Sequence, residues 1–313
     1  MPPSVAVALP AFFLGLLFGS FLNVCISRIP KGESIVHPRS RCPQCGAAIR
    51  WYDNIPLLSW LILRGRCRDC KQSIPWRYPK VELSVGLWFM AQAFRLKAFL
   101  DFAHNIDFVA PPSVPPAVIE FVGLAILGFL LIGLTVIDWQ TFTLPDAFTL
   151  TGIAIALFLV CTQAIFLGPT EDQVLLTKHS LHLTSPGGVT DHGNVFLTGP
   201  ESLIFGRIAA IVGAALFLLI IRWLYKALRH REGMGLGDVK LLAMIAAFLG
   251  FWSSILALFI GVLIASVYGV ILLLRGKAHR TTKLAFGSFL AIGGLIAAQF
   301  GDRIINIYTA LLR

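Results

Sequence analysis

Residues 5–26 run for 22 positions without a charged side chain. About 20 apolar residues in a helix, rising 1.5 Å each, cross the hydrocarbon core of a bilayer. Lipid offers the backbone no hydrogen-bond partner, so a spanning segment of this kind is helical. Comparable apolar segments recur at 81–100, 117–137, 147–168, 203–224, 253–274 and 286–311, and a shorter one lies at 239–250. The last is short for a full crossing and reads as a tilted or half-buried helix. With 57% hydrophobic and 13% charged residues, the composition lies outside the range of soluble globular chains. The expected fold is therefore all-α: a polytopic membrane protein with about eight transmembrane helices.

The net charge of +10 would suit a nucleic-acid partner if it formed one surface, but it does not. Residues 28–80 hold eleven Lys or Arg against three acids, 222–231 hold four and 275–283 hold four, whereas 101–116 hold none and 169–202 only Lys178. When the spans are alternated, the basic loops all fall on one face, which the positive-inside rule makes cytoplasmic. The basic excess is thus a topology signal: membrane lipid is the expected surrounding and no nucleic acid is expected. Arg28 follows the first span with no basic residue before it, so that span is kept as an anchor rather than a cleaved signal. The chain divides into a first helix (1–27), a cytoplasmic polar domain (28–80) and a transmembrane core (81–313). In the first span Gly15 and Gly19 stand at GxxxG spacing, open to either a close helix contact or mere membrane composition. Asn23 is expected to bond a neighbouring helix, and Cys25 and Cys161 to be small buried apolar groups. Glu82, Arg95 and Lys97 sit toward the ends of the second span, where snorkelling accounts for the bases.

The polar domain carries Cys42-Pro-Gln-Cys45 and Cys67-Arg-Asp-Cys70, two CxxC knuckles with 21 residues between them. Four thiolates at this spacing close on one tetrahedral metal ion, and zinc is the expected one. Cytosolic thiols are kept reduced, which disfavours disulfides. With four protein ligands the site leaves no open position, so Cys42, Cys45, Cys67 and Cys70 form a structural centre rather than a hydrolytic one.

The chemistry is expected elsewhere. Gly233-Met-Gly-Leu-Gly-Asp-Val-Lys240 places the carboxylate of Asp238 in glycine-rich backbone at a membrane boundary. An ionisable group there is costly and marks a pathway or a reaction centre, and the glycines let another backbone approach it. Alone, Asp238 reads equally well as the N-cap of the following helix. Asp138 alters the balance, because it lies where the 117–137 span runs out and faces the negative end of a helix dipole. Asp146, after Pro145, reads as an N-cap for the next span. Both Asp138 and Asp238 fall on the cytoplasmic boundary. Two carboxylates brought together do not both ionise easily, so the pair can act as base toward water and as acid toward a leaving amine.

Gly-Leu-Gly-Asp238 resembles the GxGD motif of intramembrane aspartyl proteases, and the longer stretch from Gly233 to Lys240 its form in bacterial type IV prepilin peptidases. Gly19-Ser-Phe-Leu-Asn-Val24, the paired knuckles with Ile49-Arg-Trp-Tyr-Asp-Asn-Ile-Pro56 between them, Tyr78-Pro79 leading to Glu82, and Ile137-Asp138 followed by Leu144-Pro-Asp146 resemble that family in the same order. The resemblance covers nearly the whole chain. It implies a bifunctional enzyme of the bacterial inner membrane that cuts the basic leader of type IV prepilins and type II secretion pseudopilins after glycine. The new N-terminal residue would then be methylated from S-adenosylmethionine. Asp138 and Asp238 would be the protease pair, and the four cysteines would be zinc ligands associated with methylation; no motif marks the methyl donor's site.

Two other classes stay open on the residues alone. A proton-coupled transporter also uses intramembrane acids, though near the midplane. A zinc-stabilised assembly scaffold would leave both acids idle. The outer stretch 169–202, with His179, His182 and His192, is longer than the family pattern and reads as a solvated loop. No internal repeat is expected.

Overall fold

The computed structural model describes residues 3–104, 114–166, 200–229, 234–276 and 284–311. They form α1 (Pro3–Arg28), α2 (Leu58–Ile62), α3 (Arg77–His104), α4 (Val114–Thr141), α5 (Asp146–Phe166), α6 (Pro200–Arg229), α7 (Leu236–Leu249), α8 (Phe251–Leu274) and α9 (Phe286–Leu311). Among the described residues there is no strand, only isolated bridges at Arg41–Ala48 and Arg66–Ser73. Among the described residues five segments are both long and apolar enough to cross a membrane: Val5–Lys31, Pro116–Thr141, Asp146–Ile165, Leu203–Leu228 and Phe251–Leu274. The chain is a helical, multi-pass membrane protein by that criterion. Helix α9 offers a shorter apolar stretch, Phe286–Gly301, and α3 carries Glu82, Arg95 and Lys97 along its length.

The short segment expected at 239–250 begins three residues earlier, at Leu236, and is only 14 residues long, about 21 Å at 1.5 Å per residue. Its position removes the length problem. Helix α7 packs against α4, α5, α6, α8 and α9, and Leu241, Leu242, Met244, Ile245, Ala246 and Ala247 are fully or almost fully buried. A helix enclosed by others does not meet lipid, so it does not have to match the bilayer's thickness.

The most extensive helix pair is α1 with α3, and here the GxxxG spacing is a real contact. A Cβ at Gly19 would fall 2.6 Å from the Glu82 Cα, and one at Gly15 2.8 Å from the Gly86 Cα. Only glycine admits backbones this close. Asn23 Nδ2 donates to the Tyr78 carbonyl at 3.0 Å across the same pair, the interhelical bond expected of it.

Two expectations fail. Arg95 does not snorkel; its guanidinium donates to the Ala298 carbonyl of α9 at 2.8 Å, joining α3 to the last helix. Lys97 pairs with Asp101 one turn on. Cys25 is buried as expected, but Cys161 is exposed on the outside of the bundle, because apolar segments in lipid have no need to bury every small residue inward. Residues 169–199 of the expected outer loop, including His179, His182 and His192, and Gly233 of the glycine-rich stretch lie outside the described residues.

Candidate active site and metal centre

Three helix ends meet where the two acids lie. Asp138 sits in the last turn of α4, Asp238 is the third residue of α7, and α9 begins at Phe286. The backbone N–H of Ser288 donates to Asp138 Oδ2 at 2.6 Å. The Ser288 hydroxyl lies 3.0 Å from that oxygen and 3.0 Å from the Thr135 carbonyl, so its single proton serves one or the other. The Gly235 N–H donates to Asp238 Oδ2 at 3.1 Å. Gly235 is itself the N-cap, with extended backbone, and Asp238 reaches back to it from the third helical position. This is half of a capping box, since glycine has no side chain to return the bond. The reading of Asp238 as an N-cap is therefore displaced by three residues.

The carboxylates are only 5% and 8% exposed, yet each bonds through Oδ2 alone. Among the described residues Oδ1 of neither acid has a hydrogen-bond partner, and neither is sealed from solvent. The Asp138 charge acts on Asp238, so the two are electrostatic neighbours. Leu144 packs against the two glycines beside the acids: a Cβ at Gly237 would stand 3.0 Å from Leu144 Cβ, and one at Gly287 2.8 Å from Leu144 Cδ1 and 3.1 Å from Asp138 Oδ2. The sequence reading missed Leu144, Gly287 and Ser288 as parts of the site. A glycine and a hydroxyl residue opening the last apolar span were the available signal, indistinguishable there from an ordinary helix start.

Asp146 is the first residue of α5 rather than its cap. The Pro145 carbonyl accepts the Phe148 and Thr149 N–H groups, while the Asp146 carboxylate takes Lys240 Nζ at 2.7 Å. That exposed pair ties the start of α5 to α7 and flanks the two acids without joining them.

The polar domain shows a repeat that the sequence reading overlooked. Arg41-Cys-Pro-Gln-Cys-Gly-Ala-Ala-Ile-Arg-Trp51 and Arg66-Cys-Arg-Asp-Cys-Lys-Gln-Ser-Ile-Pro-Trp76 share Arg, both Cys, Ile and Trp in register, and they fold alike. Cys42 N–H bonds Ala47 O and Gly46 N–H bonds Cys42 O, just as Cys67 N–H bonds Gln72 O and Lys71 N–H bonds Cys67 O. Each knuckle closes on a left-handed residue, Gly46 in one and Lys71 in the other. The four Sγ atoms lie within 4.8 Å of one another, and Cys42 Sγ is 3.8 Å from Cys70 Sγ. A tetrahedral ion with metal–sulfur bonds of about 2.3 Å requires edges of about 3.8 Å. The donor set thus fits a zinc ion. The Cys45 and Gln44 N–H groups lower the Cys42 thiol to about 7, which favours the ligating thiolate. Arg68 braces the domain by a bidentate pair with Asp53 at 2.6 and 2.8 Å, and its hydrogen bonds hold the Asp53 carboxyl below its ordinary range.

The domain is fastened to the end of the bundle that carries the acids. Leu57 N–H donates to Glu82 Oε2 at 2.8 Å, and Arg77, at the start of α3, donates to Gln140, two residues beyond Asp138.

Comparison with known proteins resolves what this arrangement belongs to. The family model of the bacterial peptidase A24 N-terminal domain matches residues 13–96, and that of the type IV leader peptidase family matches residues 192–270. Proteins named prepilin leader peptidase/N-methyltransferase match along almost the entire chain: that of Stutzerimonas stutzeri is 31% identical over 99% of this chain and 96% of its own. The chain belongs to the prepilin leader peptidase/N-methyltransferase family. The relative of the same name from Pseudomonas putida is 32% identical over 97% of this chain and 94% of its own, and that from Aeromonas hydrophila 32% over 95% and 92%. Asp238 falls inside the matched family stretch, and Asp138 between the two. No solved structure matches the chain.

Proposed function

We propose that this chain cleaves the basic leader from type IV prepilins and type II secretion pseudopilins after a glycine and methylates the new N-terminal residue from S-adenosylmethionine. It acts as an eight-span protein of the bacterial inner membrane with its acids and its small domain (28–80) at the cytoplasmic face, the first helix (1–27) and the core (81–313) being its membrane parts. The observation that carries the protease reading is the meeting of Asp138 and Asp238, each held through Oδ2 and open at Oδ1. Water placed between the open oxygens loses a proton to one carboxylate as it attacks the peptide carbonyl, and the other acid gives a proton to the departing amine. The Ser288 and Gly235 N–H groups orient the pair and take no proton. Glycine before the cut lets the peptide strand come close to the enzyme's own glycine backbone at 235 and 237.

Zinc, held by Cys42, Cys45, Cys67 and Cys70, would supply a cross-link for the small domain with all four positions taken by protein. The methyl donor is different. A groove of about 820 Å³ between α3, α4 and α9 offers Arg77 and Lys80 to a carboxylate, but no acid lines it to face the donor's cationic sulfonium and ammonium groups. The groove does not fit that donor, and no step is routed through it.

The test is direct. Purified protein in detergent should shorten a prepilin by its leader, and Asp138→Asn and Asp238→Asn should each abolish the product, with the double variant hardly worse than either. Processing at the parent rate by a folded Asp238→Asn protein would overturn the protease assignment.

A further inference from the structure

The small domain exposes apolar side chains close to the membrane helices. Leu58, Leu61, Ile62 and Trp76 are 50%, 64%, 66% and 64% exposed. The Leu57 N–H is bonded to Glu82, five residues inside α3, which is about 7 Å down that helix from its start. Helix α2 begins at the next residue, Leu58, and Trp60 packs against Trp76 with ring centroids 4.1 Å apart and the ring planes tilted by 50°. This edge of the domain is thus held against the first turns of α3, where Arg77 reaches Gln140 at the end of the apolar segment Pro116–Thr141. Directly beside it lies a pocket of about 420 Å³ lined by Ile62, Leu63, Arg64, Arg66, Cys67 and Lys71. Three cations and no acid line it.

We propose that this edge is a docking site for an anionic phospholipid, whose phosphate enters the pocket of Arg64, Arg66 and Lys71 while its acyl chains lie against Leu58, Leu61, Ile62 and Trp76. Exposed apolar groups close to the end of a spanning segment and next to clustered cations are what an anionic headgroup with its chains requires. Charge decides against the other visitor to this face: a basic leader peptide is repelled by the same three cations. The pocket's cations also stand beside Cys67, and a role toward the metal alone would make them matter to zinc and not to lipid. The docking site does not depend on which peptide the chain cuts.

The test uses the full chain with Leu61→p-benzoylphenylalanine in nanodiscs of phosphatidylglycerol or of phosphatidylcholine, irradiated and read by mass spectrometry. A phospholipid adduct is expected in both, at least about fivefold more abundant with phosphatidylglycerol, since one basic group near an anionic surface is worth about that factor. In Arg64→Gln/Arg66→Gln/Lys71→Gln the preference should fall toward one, with zinc content unchanged and with excess inorganic phosphate unable to remove the adduct from the parent. Equal adducts in the two lipids, adducts to prepilin or to a second copy, or loss of the adduct to inorganic phosphate would each overturn the proposal. Because the headgroup comparison requires no change in the pocket, it decides the matter even where the triple variant loses zinc.

Discussion

Gly287→Ala tests whether the acids are positioned by backbone contact at the start of α9. The added Cβ would lie 2.8 Å from Leu144 Cδ1 and 3.1 Å from both Cγ and Oδ2 of Asp138, where ordinary contact begins at 3.4 Å. Leu144 Cδ1 is the end of a flexible side chain and can swing aside. The carboxylate cannot, because Oδ2 is pinned by the Ser288 N–H at 2.6 Å. The methyl must therefore push Asp138 or the first turn of α9 by at least a few tenths of an ångström. A misplacement of about 1 Å costs a reaction about a hundredfold, so a shift of a third of that should lower prepilin cleavage by roughly fivefold. Alanine is no obstacle to a helix, so the melting temperature should change little. The assay is single-turnover cleavage with enzyme in excess, which separates the chemical step from product release. Gly287→Ala/Leu144→Ala should recover only part of the loss, since it relieves the 2.8 Å contact and leaves those to Asp138. Cleavage by Gly287→Ala at the parent rate would show that the carboxylate has room the geometry denies it.

Cys42→Ser and Cys67→Ser should each bring bound zinc below one per chain and make residues 28–80 easier to proteolyse; unchanged metal in both would remove the zinc assignment. With the Cys42 thiol lowered to about 7, its thiolate share rises with pH, so metal-stripped protein should take up zinc more tightly at about pH 8 than at about pH 6, read by competition with a chelator. Asp146→Asn and Lys240→Gln each break an exposed pair, worth at most about 1 kcal/mol; both should keep most of the cleavage activity, and a loss as deep as that of Asp138→Asn would bring Asp146 into the reaction.

The parts of the fold legible in the sequence were those fixed by one-dimensional signals. Apolar length located the long helices and the paired knuckles announced a four-sulfur cluster, while Gly15 and Gly19 left a close helix contact open without naming α3 as its partner. What escaped was set by three-dimensional neighbours. The beginning of α7 at Leu236 could not be read from apolarity, because Gly237 and Asp238 are not apolar and what starts the helix there is the bond from the Gly235 N–H to Asp238. Arg95 looked like a snorkelling base because the Ala298 carbonyl it bonds lies 203 residues away. Ser288 was invisible for the same reason, being 150 residues from the acid it holds. The knuckle repeat was legible, from Arg41 to Trp51 and again from Arg66 to Trp76, but only when the flanking Ile and Trp were compared along with the cysteines.

Both acids turn out to serve helix N-termini, which sharpens the question of whether they are caps or catalysts. Asp238 accepts from the start of its own helix, and Asp138, placed unfavourably at the C-terminal end of α4, is offset by the N-terminal N–H of α9. Capping and proton exchange separate by substitution. Asparagine keeps an oxygen for the Ser288 or Gly235 N–H but cannot exchange the proton; alanine at 138 leaves the Ser288 N–H unpaired in a buried place, at a cost of about 1–3 kcal/mol, whereas Gly235 is exposed and its N–H can turn to water. Asp138→Ala should therefore melt clearly lower than the parent and Asp238→Ala only slightly lower, while the two asparagine variants melt near it. Cleavage should be lost in all four. If the acids were only caps, activity would follow stability, with asparagine active and alanine impaired in proportion to its melting point. Inactive proteins with the parent's melting temperature are the outcome that only proton-exchanging acids produce.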